Sequence, residues 1–320
     1  TVYFTAPELV ADPQTEYGIN IRLADAIGRA RTSVDLALYE FSDPLLAQTL
    51  IEARQRGVRV RVVTDNEAGL EAEDTLIPQL QAAGIPVVDD GRTSLMHDKF
   101  FIIDGTSVWT GSWNLTANST FDQNNNVLVF ESADLVALYE AEFEEMFSRG
   151  EFGPRSTIGA QNQVSVNGVP VEVYFASEDD IEPRLLELIE AAEHSLRVMA
   201  FSFTHDELGS AIIDRISAGV NVSAIFESRG SETTSSELTP LYCAGANVRQ
   251  DGNPSFMHHK VILIDDAIVI TGSLNFSANT FESNDDNVLI VFDPALAAAY
   301  TQEFERLWAV ANAPTDIVCP

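Results

Sequence analysis

Lysine is almost missing from this chain, with Lys99 and Lys260 the only two in 320 residues. Positive charge is scarce altogether, 18 Lys plus Arg against 49 Asp plus Glu, for a net charge of −31. That balance argues against a broad polyanion-binding surface, because nucleic-acid affinity rests on basic groups that neutralise phosphates. It fits a salty or extracellular setting, and any phosphate-bearing substrate must then be captured by a small local positive pocket. No apolar run reaches the roughly 18 residues of a membrane span, so no stable membrane insertion is expected. Cysteine is limited to Cys243 and Cys319. They are either one disulfide tying down the C-terminal tail or two unrelated thiols, since sequence does not report their separation. The chain begins at Thr1 without Met, as a removed secretory signal or a trimmed boundary would leave it. A secreted or extracytoplasmic location is expected.

What is present is an ordinary globular composition, 45% apolar and 21% charged, long enough for one large or two medium domains. Both lysines sit in one repeated phrase. Met96-His97-Asp98-Lys99 runs on to Asp104, and Met257-His258-His259-Lys260 runs on to Asp265. Each reads His-x-Lys, four residues, then Asp. Gly111-Ser112-Trp113-Asn114 follows the first and Gly272-Ser273-Leu274-Asn275 the second, 161 residues later. Ser33 to Tyr39 likewise answers to Ser195 to Phe201, and Val2-Tyr3-Phe4 to Val173-Tyr174-Phe175. A period this long is a domain duplication.

Each copy alternates strand and helix. In the first, Ile19, Leu23, Ile27 and Ala30 recur at helical spacing, Val34 to Tyr39 reads as a buried strand, and a helix over about 44–56 leads to a strand from Val58 to Val63. A third helix is expected near 76–83, and short strands at Phe100–Ile103, Ser107–Thr110 and Val127–Phe130. Each copy closes on an amphipathic helix, striped by Leu135, Tyr139, Phe143 and Phe147 in one and by Leu296, Tyr300, Phe304 and Trp308 in the other. The expected fold class is α/β, two homologous lobes with mixed sheets over 1–150 and 171–320, joined by a connector at 151–170 and packed about a pseudo-twofold axis. Such a chain supplies both half-sites itself and is expected to be a monomer.

In extended chain alternate side chains share a face, so His97 pairs with Lys99 and His258 with Lys260. Asp104 and Asp265 fall on an odd step and are read as supports. Each lobe thus offers an imidazole, an ammonium, a hydroxyl from Ser112 or Ser273, and a carboxamide from Asn114 or Asn275. Brought together, two imidazoles across a ring of donors suit phosphoryl transfer, one attacking phosphorus and the other protonating the leaving oxygen. The lysines and asparagines would hold the non-bridging oxygens.

The paired His-x-Lys-x4-Asp phrases, each followed by Gly-Ser-x-Asn, resemble the phospholipase D superfamily over nearly the whole chain. The resemblance implies a bilobal fold with the active site at the lobe interface, a covalent phosphohistidine intermediate, and no metal or other cofactor. The family often places a carboxylate or amide beside the motif histidine, and the positions 28 residues on are Asn125 and Asp286. With Asp286 beside His258 and Asn125 beside His97, His258 would be the general acid and His97 the nucleophile.

The adjacent pair His258 and His259 suggests a metal at first sight, but neighbouring strand residues face opposite ways and no third ligand joins them, so none is expected. Trp113 could stack a base or line a lipid slot, although core packing explains it as well. Arg229, in a polar loop, is a guard for the pocket mouth or simply a solvated charge. The expected substrate is a phosphodiester. The compact lobes resemble the small nucleases of the superfamily, which points to a nonspecific endonuclease on single-stranded nucleic acid. The alternatives are a phospholipase D that hydrolyses or transfers a headgroup, and an inactive phosphate-binding module.

Overall fold

The computed structural model describes residues 1–7, 18–154, 162–315 and 317–319. Two mixed sheets carry the architecture. The first contains β1 (Val2–Phe4), β2 (Ser33–Leu38), β3 (Arg59–Thr64), β4 (Val87–Asp89), β5 (Phe100–Ile103), β6 (Ser107–Gly111) and β7 (Asn126–Phe130), in the order β1-β7-β6-β5-β2-β3-β4. The second contains β8 (Gln163–Val166), β9 (Val169–Ala176), β10 (Ser195–Ala200), β11 (Asn221–Phe226), β12 (Asn247–Gln250), β13 (Lys260–Ile264), β14 (Ile268–Gly272) and β15 (Asp286–Val291). Its order is β12-β11-β10-β13-β14-β15-β9-β8, which read backwards repeats the first sheet with β8 added at the edge.

In each lobe three helices cover one face of the sheet: α1 (Ile19–Arg29), α2 (Pro44–Gln55) and α3 (Ile77–Ala82) in the first. The helix starts follow local chemistry. Asp43 accepts from the backbone N–H groups of Leu45 and Leu46, and Pro44 takes the first helical position, where its missing N–H costs nothing. After the short α4 (Ala117–Phe121), α5 (Ala133–Glu144) covers the opposite face. The second lobe repeats this with α6 (Glu182–Glu190), α7 (Asp206–Ser217), α8 (Leu238–Ala244), α9 (Ala278–Glu282) and α10 (Pro294–Val310). The apolar stripes of α5 and α10 face the core, with Tyr139 and Tyr300 at 0% exposure and Phe147, just past the end of α5, Leu296 and Trp308 partly buried. Each stripe also packs against the other lobe. Leu289, Val291, Val171 and Val173 join the α5 cluster, and Leu128 joins the α10 cluster, so the lobes share their core.

The connector is shorter than the expected 151–170. The chain rejoins a sheet at Gln163, where β8 and β9 pair as a hairpin around Asn167-Gly168. Both turn residues have positive φ, 53° and 86°, as a two-residue hairpin turn requires. Residues 155–161 of the connector lie outside the described residues. Cys243 and Cys319 are disulfide-bonded, fastening the tail to α8. Among the described residues no helix is long and apolar enough to cross a membrane.

Candidate active site between the lobes

Both motif histidines lie just ahead of a strand, Lys260 itself opening β13, and are stitched to the opposite lobe by backbone bonds. The His97 N–H donates to the Asp285 carbonyl at 2.8 Å, and the His258 N–H to the Asn124 carbonyl at 2.9 Å. Buried carboxylates fix the residue before each histidine. Asp65, after β3, accepts from the Met96 N–H at 3.1 Å, and Glu227, after β11, from the Met257 N–H at 2.7 Å. The expected alternation holds: His97 and Lys99 turn to one side, Asp98 and His259 to the other. Lys99 Nζ donates to the His97 carbonyl at 2.7 Å and Lys260 Nζ to the His258 carbonyl at 2.9 Å, which leaves two N–H donors on each ammonium. Aromatic rings wall both pairs, Tyr39 with its centroid 4.8 Å from that of His97 and Phe201 at 4.6 Å from that of His258.

The ring partners come from across the interface, and here the sequence expectation is corrected. Asp286 does not lie beside His258. Its Oδ1 meets His97 Nδ1 at 2.7 Å. Asn125 pairs instead with His258, whose Nδ1 is 2.9 Å from the Asn125 Oδ1 and 3.0 Å from the Ser112 carbonyl. The cause is topological, because β7 and β15 end at the lobe boundary and the residue before or at each strand start projects into the other lobe. All the acceptors facing the two Nδ1 atoms are oxygens, so both rings carry their proton on Nδ1 and turn an Nε2 lone pair toward the cavity.

Ser112 and Ser273 are fully buried and turn away from that cavity. Ser112 Oγ donates to Asn125 Oδ1 at 2.9 Å and accepts from the Asn126 N–H, while Ser273 Oγ accepts from the Asn287 N–H at 3.0 Å. They position the ring partners and do not offer hydroxyls to a substrate. Gly111 and Gly272 allow the approach, since a Cβ would stand 2.2 Å from the Asn126 carbonyl oxygen and 2.1 Å from that of Asn287. Behind the site a second crossed pair ties the lobes: Asn287 Nδ2 to Asp98 Oδ1 at 2.6 Å, and Asn126 Nδ2 to His259 Nδ1 at 3.0 Å. His259 Nε2 meets Glu303 at 3.1 Å, so its ring is spent on structure.

The Oδ1 atoms of Asn114 and Asn275 are buried and without hydrogen-bond partners. Asn114 Nδ2 donates to Glu40 Oε2 at 2.8 Å, a neighbour that sequence reasoning missed. The signal was available in the repeat, where Tyr39-Glu40-Phe41 aligns with Phe201-Ser202-Phe203 and Glu40 is an acid without a counterpart. Asp104 and Asp265 are supports. Each occupies a turn at positive φ, 54° and 52°. Asp104 gathers the N–H groups of Arg31, Thr32 and Ser33, and Asp265 those of Glu193, His194 and Ser195. Trp113 does not line the site. It is 1% exposed, packs on Phe101, and donates from Nε1 to Thr120 Oγ1 at 3.1 Å. Arg229 lies over the Phe256 ring at 4.6 Å and donates to the Pro254 carbonyl, on the rim of a cavity of about 700 Å³. Asn118, Asn124, Asn253 and Phe121 line the same cavity, which adjoins the His258 side through Asn124.

Burial sets the electrostatics. His97 is 6% exposed and His258 7%. Burial pushes His97 below the ordinary histidine value, opposed by Asp286 and reinforced by Lys99. His258 falls well below it, through burial and then Lys260, Lys99 and His97, and it lacks a carboxylate to compensate. Burial lowers Lys99 to about 8 and drives Lys260 well below the ordinary lysine value. Burial would raise Asp286, but His97 and Lys99 hold it below the usual carboxylate range, so it stays ionised. The pocket is short of anion and its cations are held at a cost, a state that an incoming phosphodiester anion relieves.

Comparison with known proteins agrees with this arrangement. The family described as "Cardiolipin synthase, PLD-like domain" matches twice, over residues 23–147 and 185–308. The mitochondrial cardiolipin hydrolase of Xenopus tropicalis is 38% identical over 130 residues, 41% of this chain and 62% of that protein. A phospholipase D of Rickettsia bellii is 38% identical over 117 residues, 37% of this chain and 58% of that protein. The chain therefore spans about three fifths of the length of these relatives. Among solved structures, phosphatidylserine synthase of Haemophilus influenzae shares the fold, with a TM-score of 0.64 at 14% identity over 92% of this chain and 85% of that one. With both lobes matched and both motifs facing one interface, the chain belongs to the phospholipase D superfamily.

Proposed function

We propose that the protein is a phosphodiesterase that works through a phosphohistidine on His97. The observation that carries this is the 2.7 Å contact between His97 Nδ1 and Asp286 Oδ1. An ionised carboxylate on Nδ1–H makes Nε2 electron-rich and stabilises the cationic ring that results when Nε2 bonds to phosphorus. His258 has only an amide and a carbonyl at Nδ1, so its protonated form is strongly acidic and gives up its Nε2 proton readily. The bound phosphodiester anion offsets the lysine charges and lets His258 take up a proton from solvent on Nε2. In the first step the His97 Nε2–P bond then forms, the P–O bond to the leaving alcohol breaks, and the His258 Nε2–H supplies the proton. In the second, water attacks phosphorus, His258 takes its proton, and the P–N bond breaks. Lys99 and Lys260 hold the non-bridging oxygens with their free N–H donors, and Asn275 adds a carboxamide. His97 thus keeps the role of nucleophile, for the opposite reason to the one the sequence suggests.

For the substrate, we read an isolated diester of the phospholipid kind ahead of a nucleic acid. Acidic groups crowd the approach: Glu40 and Asp74 act on each other beside Lys99, and Glu67 acts on Tyr39. A chain of phosphates meets repulsion there, and the net charge of −31 adds to it. The name of the phospholipase D relative supports the same reading, and that of the cardiolipin hydrolase supports a phospholipid, although cardiolipin itself carries two diesters. The nuclease reading stands second, favoured by the asparagine-lined cavity with Arg229 at its rim, which has room for a nucleoside. The deciding assay sets phosphatidylcholine vesicles against a single-stranded oligonucleotide, both in EDTA. Headgroup release without strand cutting is expected. Strand cutting alone would move the substrate to nucleic acid, and failure of His97→Ala and His258→Ala to lower either activity would defeat the two-imidazole scheme.

A further inference from the structure

The two lobes hold their asparagines differently. Asn114 Nδ2 is tied to Glu40 Oε2 at 2.8 Å, whereas the repeat position of Glu40 in the second lobe is Ser202, which has no carboxylate to offer Asn275. Glu40 follows Tyr39 directly at the end of β2, is half-buried, and lies in the field of Lys99. One of the N–H donors that the family motif supplies for a phosphate oxygen is therefore already occupied by a carboxylate of the chain itself. Exposed Asp74 adds charge of the same sign close by. A single phosphodiester brings one negative charge, which Lys99 and Lys260 can answer. A diester with further phosphates on either side brings more, and those that approach the Asn114 side meet the charge of Glu40 and Asp74.

We propose that Glu40 is a specificity-determining residue: its carboxylate restrains the Asn114 amide and places negative charge at the edge of the phosphate pocket, so that the site accepts a diester standing alone and turns away one flanked by other phosphates. This rests on the isolated-diester reading above and gives it a residue. The charge is not part of the chemical step, which runs through His97 and His258. A purely structural role for Glu40 would scale all substrates together. A selective role changes their ratio.

The test uses Glu40→Gln, which keeps the size and an acceptor for Asn114, and Glu40→Ser, which copies Ser202. For each variant and the wild type, kcat/KM is measured on bis(4-nitrophenyl) phosphate and on a single-stranded oligonucleotide, with thermal unfolding as the control for folding. The ratio of oligonucleotide to nitrophenyl diester is expected to rise about tenfold in both variants, the size of one screened charge repulsion near a protein surface. A ratio unchanged within about twofold overturns the proposal. Should neither variant fold, Glu40→Asn serves with the same expected rise, and a ratio unchanged within about twofold overturns the proposal. Vesicle hydrolysis by the wild type tests the isolated-diester reading separately, so the two failures are distinguishable.

Discussion

Replacing Asp286 by Asn is the sharpest probe of how the two imidazoles divide their work. The side chain is fully buried and its Oδ1 sits 2.7 Å from His97 Nδ1. Asn has nearly the same shape and already occupies the matching place opposite His258, so the fold should accept it. On the proposed mechanism, what disappears is the attraction between a carboxylate and the positive ring of the phosphohistidine. Unit charges about 4 Å apart at an effective dielectric of about 20 attract by about 4 kcal/mol. At about 1.36 kcal/mol per tenfold, this corresponds to a loss of roughly a thousandfold in the rate of forming the covalent intermediate. The assay is rapid-quench turnover of bis(4-nitrophenyl) phosphate, in which the burst of nitrophenol reports the first step directly. Nitrophenolate departs without needing a proton, so His258→Ala should retain the burst and lose the later turnover. Asp286→Asn should lose the burst itself. A deficit below tenfold in Asp286→Asn, or a normal burst in His97→Ala, would refute the argument from the carboxylate. Asn125→Asp provides the reciprocal check. A carboxylate on His258 makes it a weaker acid, so alkyl esters should suffer and nitrophenyl esters should not.

Lys99, lowered to about 8, must be protonated to hold a phosphate oxygen, so KM should climb as pH rises through about 8 in the free enzyme. A flat KM from pH 7 to 9.5 would remove Lys99 from the phosphate site. The same shift has a stability sign: between about 8 and the ordinary 10.5 the unfolded chain holds the extra proton, so Lys99 favours folding more as pH increases through that window. Gly111→Ala and Gly272→Ala should each cost about 3 kcal/mol or more by denaturant melting, because the new Cβ meets a backbone carbonyl that cannot retreat. A loss under about 1 kcal/mol would mean that β6 and β14 can shift. Asp104→Ala should cost about 1–2 kcal/mol through the three backbone N–H groups it leaves behind, with kcat/KM unmoved, and a changed kcat/KM would give it a part in the chemistry.

The strands, the helices and the duplication were legible because each is written locally. Period-two and period-3.6 patterns mark β2, β3, α1 and α5, and His97, Lys99, His258 and Lys260 stand in a phrase repeated at one spacing. The crossed pairing was not legible. Asp286 lies 28 residues from His258 along the chain, yet touches the histidine of the other lobe. A strand pattern says which side chains share a face, not which lobe that face will meet. Glu40 was overlooked because a lone acid after a strand looks like a solvated turn residue until Asn114 is seen beside it. The β8 hairpin was hidden inside a stretch whose Gly, Ser and Asn content reads as linker, although Asn167-Gly168 is itself a hairpin signal.

The places where the two halves differ are as informative as those where they agree. The parts that shape the cavity are duplicated faithfully: both lysines turn to their own histidine carbonyl, both glycines admit the strand behind them, and both turn aspartates gather three N–H groups. The cross-lobe contacts are where the copies part. Asp286 on His97 answers to Asn125 on His258, and the Arg92–Asp285 ion pair to the Asn253–Asn124 hydrogen bond; within a lobe, Glu40 answers to Ser202. Two lobes with identical contacts would give both imidazoles the same basicity, and either could then attack or protonate. A reaction in which one ring bonds to phosphorus while the other delivers a proton gains from breaking that equivalence, since the ring that is better at bonding is the worse acid. A single chain can break it at two positions, 125 and 286, without disturbing the frame that brings the rings together, and the amide and carboxylate found there differ in the one property, charge, that separates a nucleophile from an acid.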